Sequence, residues 1–302
     1  MSRLHANLAL LLAAALWGLG NVPQKTVLDH LDPFSAVGIR CLIGAVFVLP
    51  LVTRENQTHA APPTRPFFTS LARVGGLFSV AIVLQQIAFL GTTVTNASFL
   101  ISTAAVMTPL AAWLLFGERV ATVVWFAAAS TVAGALLLTG GVANFTPGDC
   151  VVLMSAGCYA LWTVELGRHM RSHGRPLATM AMQFFAAAAL ALPIGVLLGN
   201  LSPASALNAW PELLTLGFFS TAVPFGIQTI AQQYTPASHA AVIVSAECVF
   251  GALGAALFLA EVISPIGALG ATMMLGAIVY LTLSTGDGDR DAPIVAPREE
   301  VR

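Results

Sequence analysis

One acidic side chain, Glu247, lies in an otherwise uncharged and mostly apolar stretch of the chain. A charge at the centre of an apolar helix in lipid costs about 3 kcal/mol, so such a carboxylate needs compensation. It could face a cavity, where it would bind an ammonium group or titrate during the functional cycle. It could also be a protonated or hydrogen-bonded residue that locks its helix to a neighbour. The sequence leaves both interpretations open.

Two glutamines and two tryptophans, also within apolar stretches, are the other candidates for binding. The amides of Gln85 and Gln228 each offer two donors and one acceptor, which suits an amino-acid head group. Their alternative role is hydrogen bonding between helices, worth about 0.6 to 2 kcal/mol in membranes. The indoles of Trp17 and Trp162 could form the walls or gate of a site, where an ammonium group can rest on a ring face. Ordinary core packing is their alternative role.

No motif for catalysis or cofactor binding accompanies these residues. The sequence contains no Walker loop, no G-x-S-x-G or H-E-x-x-H string and no glycine-rich dinucleotide turn. The four cysteines form no C-x-x-C pair, and the histidines form no cluster at metal-ligand spacing. We therefore expect no catalytic residue, no metal, no cofactor and no ATP-driven pumping by this chain alone.

The composition indicates a membrane protein with many spans. Of the 302 residues, 9% are charged and 57% are hydrophobic, and the mean hydropathy is +0.83. A soluble protein has about 25% charged residues, so too few are present here to build a water-facing surface. The formal net charge of -1 leaves no basic surface for nucleic acid. The expected surroundings are a lipid bilayer.

Ten apolar runs are long enough to cross a bilayer as helices, each needing roughly 20 residues. No alternating strand pattern competes with them. The predicted spans are 7–27, 34–53, 71–91, 95–116, 120–140, 149–167, 177–198, 211–232, 238–259 and 264–284.

The basic residues predict the orientation, because Lys and Arg collect in cytoplasmic loops. With the N-terminus inside, the cytoplasmic side holds Arg3, Arg54, Arg65, Arg73, Arg119, Arg168, Arg171, Arg175, Arg290, Arg298 and Arg302. In this orientation Lys25 lies on the outer side of the membrane. We therefore expect an integral protein of the bacterial inner membrane with both termini in the cytoplasm, ending in a charged cytoplasmic tail over 286–302.

A further arginine, Arg40, falls in or near the outer end of the second span. If Arg40 lies at the membrane surface, its long side chain anchors the helix in the interface. If it lies deeper, we expect an acidic partner, and the candidates are Asp29, Asp32 and Glu247.

The chain contains an internal repeat. One shift of the sequence against itself aligns Pro50 with Pro193, Gln85 with Gln228 and Glu118 with Glu261, and also the segments ASFLIS (97–102) and AAVIVS (240–245). A shift two residues longer aligns Trp17 with Trp162. We expect a first repeat over 1–145 and a second over 146–285. Because each repeat has an odd number of spans, five, the second must be inverted in the membrane, an arrangement that suits alternating access.

Three features resemble the drug/metabolite transporter superfamily, EamA-type. They are the string WG-x6-K from Trp17 to Lys25, the position of Arg40, and the string P-L-x-x-x-L-L-F-G-E-R from Pro109 to Arg119. The resemblance covers residues 1 to about 285. It implies a ten-helix transporter with a central cavity between the repeats, commonly exporting amino acids or other small metabolites.

Residues and resemblance together predict a secondary transporter or facilitator for a small neutral or zwitterionic metabolite, with amino acids as the leading class. The candidate binding residues are Trp17, Gln85, Trp162, Gln228 and Glu247. Protons would be a second partner if Glu247 titrates, and the protein would be a monomer or a homodimer. The alternatives are a non-transporting membrane scaffold and a membrane-embedded enzyme.

Overall fold

The computed structural model describes residues 1–58, 65–140, 145–199, 201–258 and 262–287. Glu261 and the predicted tail from residue 288 onward lie outside the described residues. The α-helices of the described chain are α1 Arg3–Thr26, α2 Pro33–Thr58, α3 Arg65–Ala88, α4 Val94–Ser102, α5 Ala104–Phe116, α6 Thr122–Thr139, α7 Pro147–His173, α8 Pro176–Leu198, α9 Pro203–Asn208, α10 Trp210–Thr215, α11 Val223–Ala231, α12 Ala237–Val244, α13 Glu247–Phe258 and α14 Pro265–Asp287. A 3-10 turn, Val27–Asp29, follows α1, and a π-helical segment, Leu216–Ala222, joins α10 to α11.

These helices form ten segments that are long and apolar enough to cross a membrane, within the described residues. Spans 1, 2 and 3 are α1, α2 and α3. Span 4 is α4 with α5, span 5 is α6, span 6 is α7 and span 7 is α8. Span 8 is α10 and α11 with the π-helical segment between them, span 9 is α12 with α13, and span 10 is α14. The chain is an all-α integral membrane protein, and the predicted number of spans is confirmed.

The spans pack in pairs that repeat between the two halves. Span 2 packs along span 7, and span 5 packs along span 10. Span 6 contacts spans 3 and 4, and span 1 contacts the corresponding spans 8 and 9. The fold is therefore two inverted five-helix repeats around a central cavity. We call the end of the bundle where α1 begins the N-terminal face, and the other end the far face.

Local sequence sets where several helices begin and end. Thr146 and Asp149 form a capping box at the start of α7, in which each side chain accepts a hydrogen bond from the other's backbone N–H. Helix α5 ends at Phe116 and is capped by Gly117, whose φ of 63° lies in the left-handed region that glycine adopts without strain. Span 6 is longer than the predicted 149–167. It continues to His173 and is terminated by Gly174, whose φ is 63°. His169 in this extension is buried and contacts the hydroxyls of Ser70 (2.9 Å) and Thr179 (3.1 Å).

Spans 4 and 9 are both interrupted near their middle. Helix α4 stops at Ser102 and α5 starts at Ala104, while α12 stops at Val244 and α13 starts at Glu247. The two interruptions occupy the same place in the repeat alignment that matches 97–102 with 240–245. In transporters with inverted repeats, broken helices at corresponding positions commonly mark the substrate site.

Candidate functional site

A cavity lies at the centre of the bundle, between spans 1, 3, 4, 6, 8 and 9. All five residues predicted to bind line its wall: Trp17, Gln85, Trp162, Gln228 and Glu247. The other lining residues are Ile101, Ser102, Ala104, Ala105, Thr108, Tyr159, Thr163, Phe225, Ala241, Val244 and Ser245. The structure thus brings the five together around one space, and their role in substrate binding stays a prediction.

Glu247 is held at the break in span 9, as the first residue of α13. A helix N-terminus carries partial positive charge, which favours a carboxylate at that position. Asn21 of span 1 donates a hydrogen bond from Nδ2 to Glu247 Oε1 over 3.0 Å. Glu247 is partly exposed in the cavity, and its Oε2 accepts no hydrogen bond within the described chain. This oxygen is therefore available to a ligand.

A glycine lets span 1 approach span 9 closely enough for that contact. A Cβ atom built on Gly18 would meet the carbonyl oxygen of Glu247 at 2.6 Å and the backbone nitrogen of Gly251 at 2.7 Å. No larger residue fits there without moving backbone, since carbon contacts are normally about 3.5 to 4.0 Å.

Two serines stand at the corresponding helix breaks. Ser102 Oγ donates to the carbonyl of Phe99, and Ser245 Oγ donates to the carbonyl of Val242, both over 2.6 Å. Each hydroxyl thus bonds a backbone oxygen of its own helix while its residue lines the cavity. The repeat position equivalent to Glu247 is Ala104, which lines the cavity from the other half, so the carboxylate belongs to one repeat alone.

Aromatic rings form much of the cavity wall, with Phe225 at their centre. Its ring centroid lies 4.8 Å from Trp17, 5.6 Å from Trp162 and 4.9 Å from Phe78. Tyr159 stacks against Phe225 at 6.3 Å with an interplanar angle of 18°. These separations are typical of favourable aromatic pairs. The wall can therefore hold an apolar group or the face-on contact of an ammonium group.

The indole N–H of each tryptophan donates a hydrogen bond to a residue that does not line the cavity. Trp17 Nε1 donates to the carbonyl of Ser220 over 3.1 Å, and Ser220 lies in the π-helical segment of span 8. Such segments rearrange the helical hydrogen bonds and are frequent at functional sites. Trp162 Nε1 donates to Gln183 Oε1 over 3.0 Å. Each ring is therefore fixed in orientation by its hydrogen bond and presents apolar surface to the cavity.

Gln85 and Gln228 stand near opposite ends of the cavity, because each lies three residues before the end of its helix and spans 3 and 8 run in opposite directions. Gln85 Oε1 accepts a hydrogen bond from the Tyr159 hydroxyl over 3.1 Å. The Gln228 amide has no hydrogen-bond partner in the part of the chain that is described, although its residue is only 2% exposed. Of the two, Gln228 is the amide with donors and acceptor free for a ligand.

The neighbouring glutamines hold helices together and do not line the cavity. Gln86 Nε2 donates to the backbone carbonyl of Gln24 over 2.8 Å. Gln232 Nε2 donates to the carbonyl of Thr163 over 2.9 Å. The repeat alignment, which pairs Gln85 with Gln228, already favours those two glutamines for the cavity wall.

Arg40 takes neither of the two expected arrangements directly. Arg40 is 1% exposed, so its side chain is enclosed by protein and does not extend outward as an anchor, and none of the three acids expected at depth contacts it directly. Its Nη1 donates to the amide oxygens of Gln24 (3.0 Å) and Gln86 (3.4 Å). Two buried amides replace the expected acid because α1 and α3 both present a glutamine to α2 at this depth. Lys25 also lies outside the cavity, where its Nζ donates to the carbonyls of Phe89 and Thr92.

Each end of the bundle is held by polar contacts. At the N-terminal face, Glu118 accepts a hydrogen bond from Arg171 over 3.3 Å, and Glu55 accepts from the backbone N–H groups of Leu177 (3.0 Å) and Ala178 (2.8 Å). At the far face, the Asp149 carboxylate accepts a hydrogen bond from the hydroxyl of Thr92. The cavity thus lies between two polar layers. Within the described residues, no group of three His, Cys, Asp or Glu side chains could hold a metal ion.

Comparison with known proteins gives the same architecture. The EamA-like transporter family matches residues 4–140 and again residues 146–283. An "Uncharacterized transporter" of Archaeoglobus fulgidus is 28% identical over 94% of this chain and 87% of its own length. The "Threonine/homoserine exporter RhtA" of Escherichia coli K12 is 30% identical over 59% of this chain and 58% of its own length.

A solved structure described only as "Crystal structure of protein" shows the same fold. It has a TM-score of 0.76 at 18% identity, and the match covers 93% of this chain and 97% of that one. Because the family matches both halves of the chain, where the structure has its two five-helix repeats, the protein belongs to the EamA-like transporter family.

Proposed function

We propose that the protein exports small amine-bearing metabolites, amino acids above all, by alternating access. The observation that carries the proposal is Glu247 Oε2, an unbonded carboxylate oxygen in a cavity walled by aromatic rings. A carboxylate and the faces of aromatic rings both attract an ammonium group. The relative named as a threonine and homoserine exporter supports amino acids as the class.

In this proposal the substrate spans the cavity from Glu247 to Gln228. Its ammonium group binds Glu247 Oε2, and its carboxylate binds the free amide of Gln228 together with nearby hydroxyls such as Thr108. Since the lining residues named above include no Lys, Arg or His, the substrate carboxylate would meet neutral donors only. This arrangement favours neutral and zwitterionic amines over phosphates or dicarboxylates.

Alternating access would come from exchange between the two repeats, over 1–145 and 146–285. Spans 1 and 6 each contact both halves and carry Trp17 and Trp162 at the cavity wall. Opening the contacts at one face while closing those at the other would move the cavity from one side of the membrane to the other. The arginine distribution supports N- and C-termini in the cytoplasm of a bacterial cell, so export would run from the N-terminal face to the far face.

The test is counterflow of labelled amino acids into proteoliposomes by the wild type and by Glu247→Gln. A hydrogen bond to a charged group is worth about 1.5 to 3 kcal/mol, so the variant should raise the KM for a transported amine about 10- to 100-fold. Glu165→Gln is the matched control, because Glu165 is a buried acid in span 6 that does not line the cavity. No counterflow with any amine, or equal loss in the two variants, would contradict the proposal and favour a scaffold or an enzyme.

A further inference from the structure

Arg40 carries a charge that is buried inside the protein. Its guanidinium is always ionised and is 1% exposed, in the first third of span 2. No carboxylate of the described chain lies within ion-pair distance of it, and its Nε has no hydrogen-bond partner there. A charge buried in this way requires compensation from somewhere in the structure.

A line of hydrogen bonds leads from Arg40 to the cavity. Arg40 Nη1 donates to Gln24 Oε1 (3.0 Å), and Gln24 Nε2 donates to Asn21 Oδ1 (3.1 Å). Asn21 Nδ2 then donates to Glu247 Oε1 (3.0 Å). Asn21 and Gln24 are three residues apart on α1 and so share one face of that helix. We call these two side chains the amide bridge.

The two ends of this line determine its direction. Arg40 can only donate, so the Gln24 oxygen must face it, and the Gln24 amino group must then face Asn21. The same reasoning turns the Asn21 amino group toward Glu247, whose Oε1 accepts. Both amide dipoles therefore point the same way, with their oxygens toward the cation and their amino groups toward the acid. This alignment stabilises a positive charge at Arg40 and a negative charge at Glu247 together.

Neighbouring contacts hold the amide bridge in this register. Gln86 Oε1 also accepts from Arg40 (3.4 Å), while its Nε2 donates to the backbone carbonyl of Gln24 (2.8 Å). Asn21 Nδ2 also contacts Ser98 Oγ at 3.1 Å. Turning either bridging amide around would place like groups against each other at both of its ends.

We infer that Arg40 is the buried counter-charge of Glu247, acting through the amide bridge as a positioning residue that keeps the cavity carboxylate ionised and aimed at the substrate. The inference rests on the proposed function only in taking a substrate amine as the ligand of Glu247. Arg40 itself touches no substrate, because it does not line the cavity.

The other titratable groups near this pair do not replace either charge. On the helices packed around it they are Lys25, Cys41, Cys158, Tyr159 and Cys248. Thiols and phenols are ordinarily neutral near pH 7. The lysine donates to two backbone carbonyls at the end of span 3. Arg40 thus remains the charge that a hydrogen-bonded line joins to Glu247.

A double-mutant cycle on stability tests the pairing without any transport assay. Thermal unfolding in detergent would be measured for the wild type, Arg40→Met, Glu247→Gln and the double variant. Each single change leaves one buried charge uncompensated. The loss of melting temperature in the double variant should therefore be smaller than the sum of the losses in the two single variants. Strictly additive losses would overturn the inference. Gln232→Leu, which removes a buried amide outside the bridge, is the control and should couple to neither charge.

If Arg40→Met does not fold, Gln24→Leu interrupts the amide bridge instead and enters the same cycle with Glu247→Gln. In this case the two changes should again be non-additive, because both act on one line of hydrogen bonds. Additive losses would again overturn the inference.

A binding measurement tests the effect on the carboxylate. Without Arg40 the acid accepts a proton more readily, so the pH below which amine binding is lost should rise by about one unit in Arg40→Met, a tenfold change in proton affinity. Arg40→Lys should restore the wild-type profile in part. An unchanged pH profile in Arg40→Met would contradict the inference. If the protein bound no amine, the proposed function would fail while the stability cycle still tested the charge pair.

Discussion

The close approach of spans 1 and 9 at Gly18 predicts a large effect from adding a single methyl group. In Gly18→Ala the new Cβ would lie 2.6 Å from the Glu247 carbonyl oxygen, 2.7 Å from the Gly251 nitrogen and 2.7 Å from Phe250 Cβ. Two of these three atoms are backbone and cannot rotate away. The helices would have to separate by about 1 Å to reach ordinary contact distance.

This separation has two consequences. Overpacking of this kind costs typically 1–3 kcal/mol of stability. It would also lengthen the 3.0 Å hydrogen bond between Asn21 and Glu247, which weakens steeply with distance. We therefore expect Gly18→Ala to lower the free energy of unfolding by about 2 kcal/mol and to raise the KM for a transported amine.

The assay is unfolding in detergent with counterflow measured on the same preparations. Gly157→Ala is the matched control, because a Cβ on Gly157 in α7 meets nothing within 4 Å. There the change should be neutral or stabilising, since alanine is the better helix former by about 1 kcal/mol. The reasoning is refuted if Gly18→Ala is as stable as the control variant and binds substrate like the wild type.

Two further predictions concern the aromatic wall. Trp17→Phe keeps a ring but loses the indole bond to the Ser220 carbonyl, so we expect a loss of about 1 kcal/mol in unfolding and a broader substrate range in the counterflow panel. A stability loss well above about 1 kcal/mol would show that the packing of the indole, and not its hydrogen bond, dominates. Phe225→Ala removes the ring that contacts Trp17, Phe78 and Trp162, and should cost about 3 kcal/mol while admitting bulkier amines. Unchanged selectivity in Phe225→Ala would contradict its place in the cavity wall.

The sequence predicted the fold well because a bilayer imposes strict requirements on a chain. Only helices of a set length satisfy the backbone in lipid, so apolar runs such as 177–198 locate spans directly, and α8 begins one residue earlier at Pro176. Glu247 could be found for the same reason, since a lone acid in such a run requires an explanation.

The helix breaks and the full cavity wall could not be predicted in this way. Phe225 has no distinguishing sequence signal among the other apolar residues of span 8. Tyr159 could have been found, because it lies three residues before Trp162 and so faces the same side of α7. The partners of Arg40 depend on how three helices align in depth, which hydropathy does not determine. In the sequence, the only sign of the helix breaks after Ser102 and Val244 is that Ser102 aligns with Ser245 between the two repeats.

The most direct test of the central claim is the reactivity of a cavity position toward a water-soluble, membrane-impermeant thiol reagent. The four native cysteines, all free in the structure, would first be replaced. We predict that Ser245→Cys, in the cavity wall beside Glu247, reacts in membrane vesicles and is protected by a transported amino acid, while Ser155→Cys, buried outside the cavity, does not react. An unreactive Ser245→Cys, or a reaction that no amine slows, would contradict a water-filled cavity in which Glu247 receives the substrate.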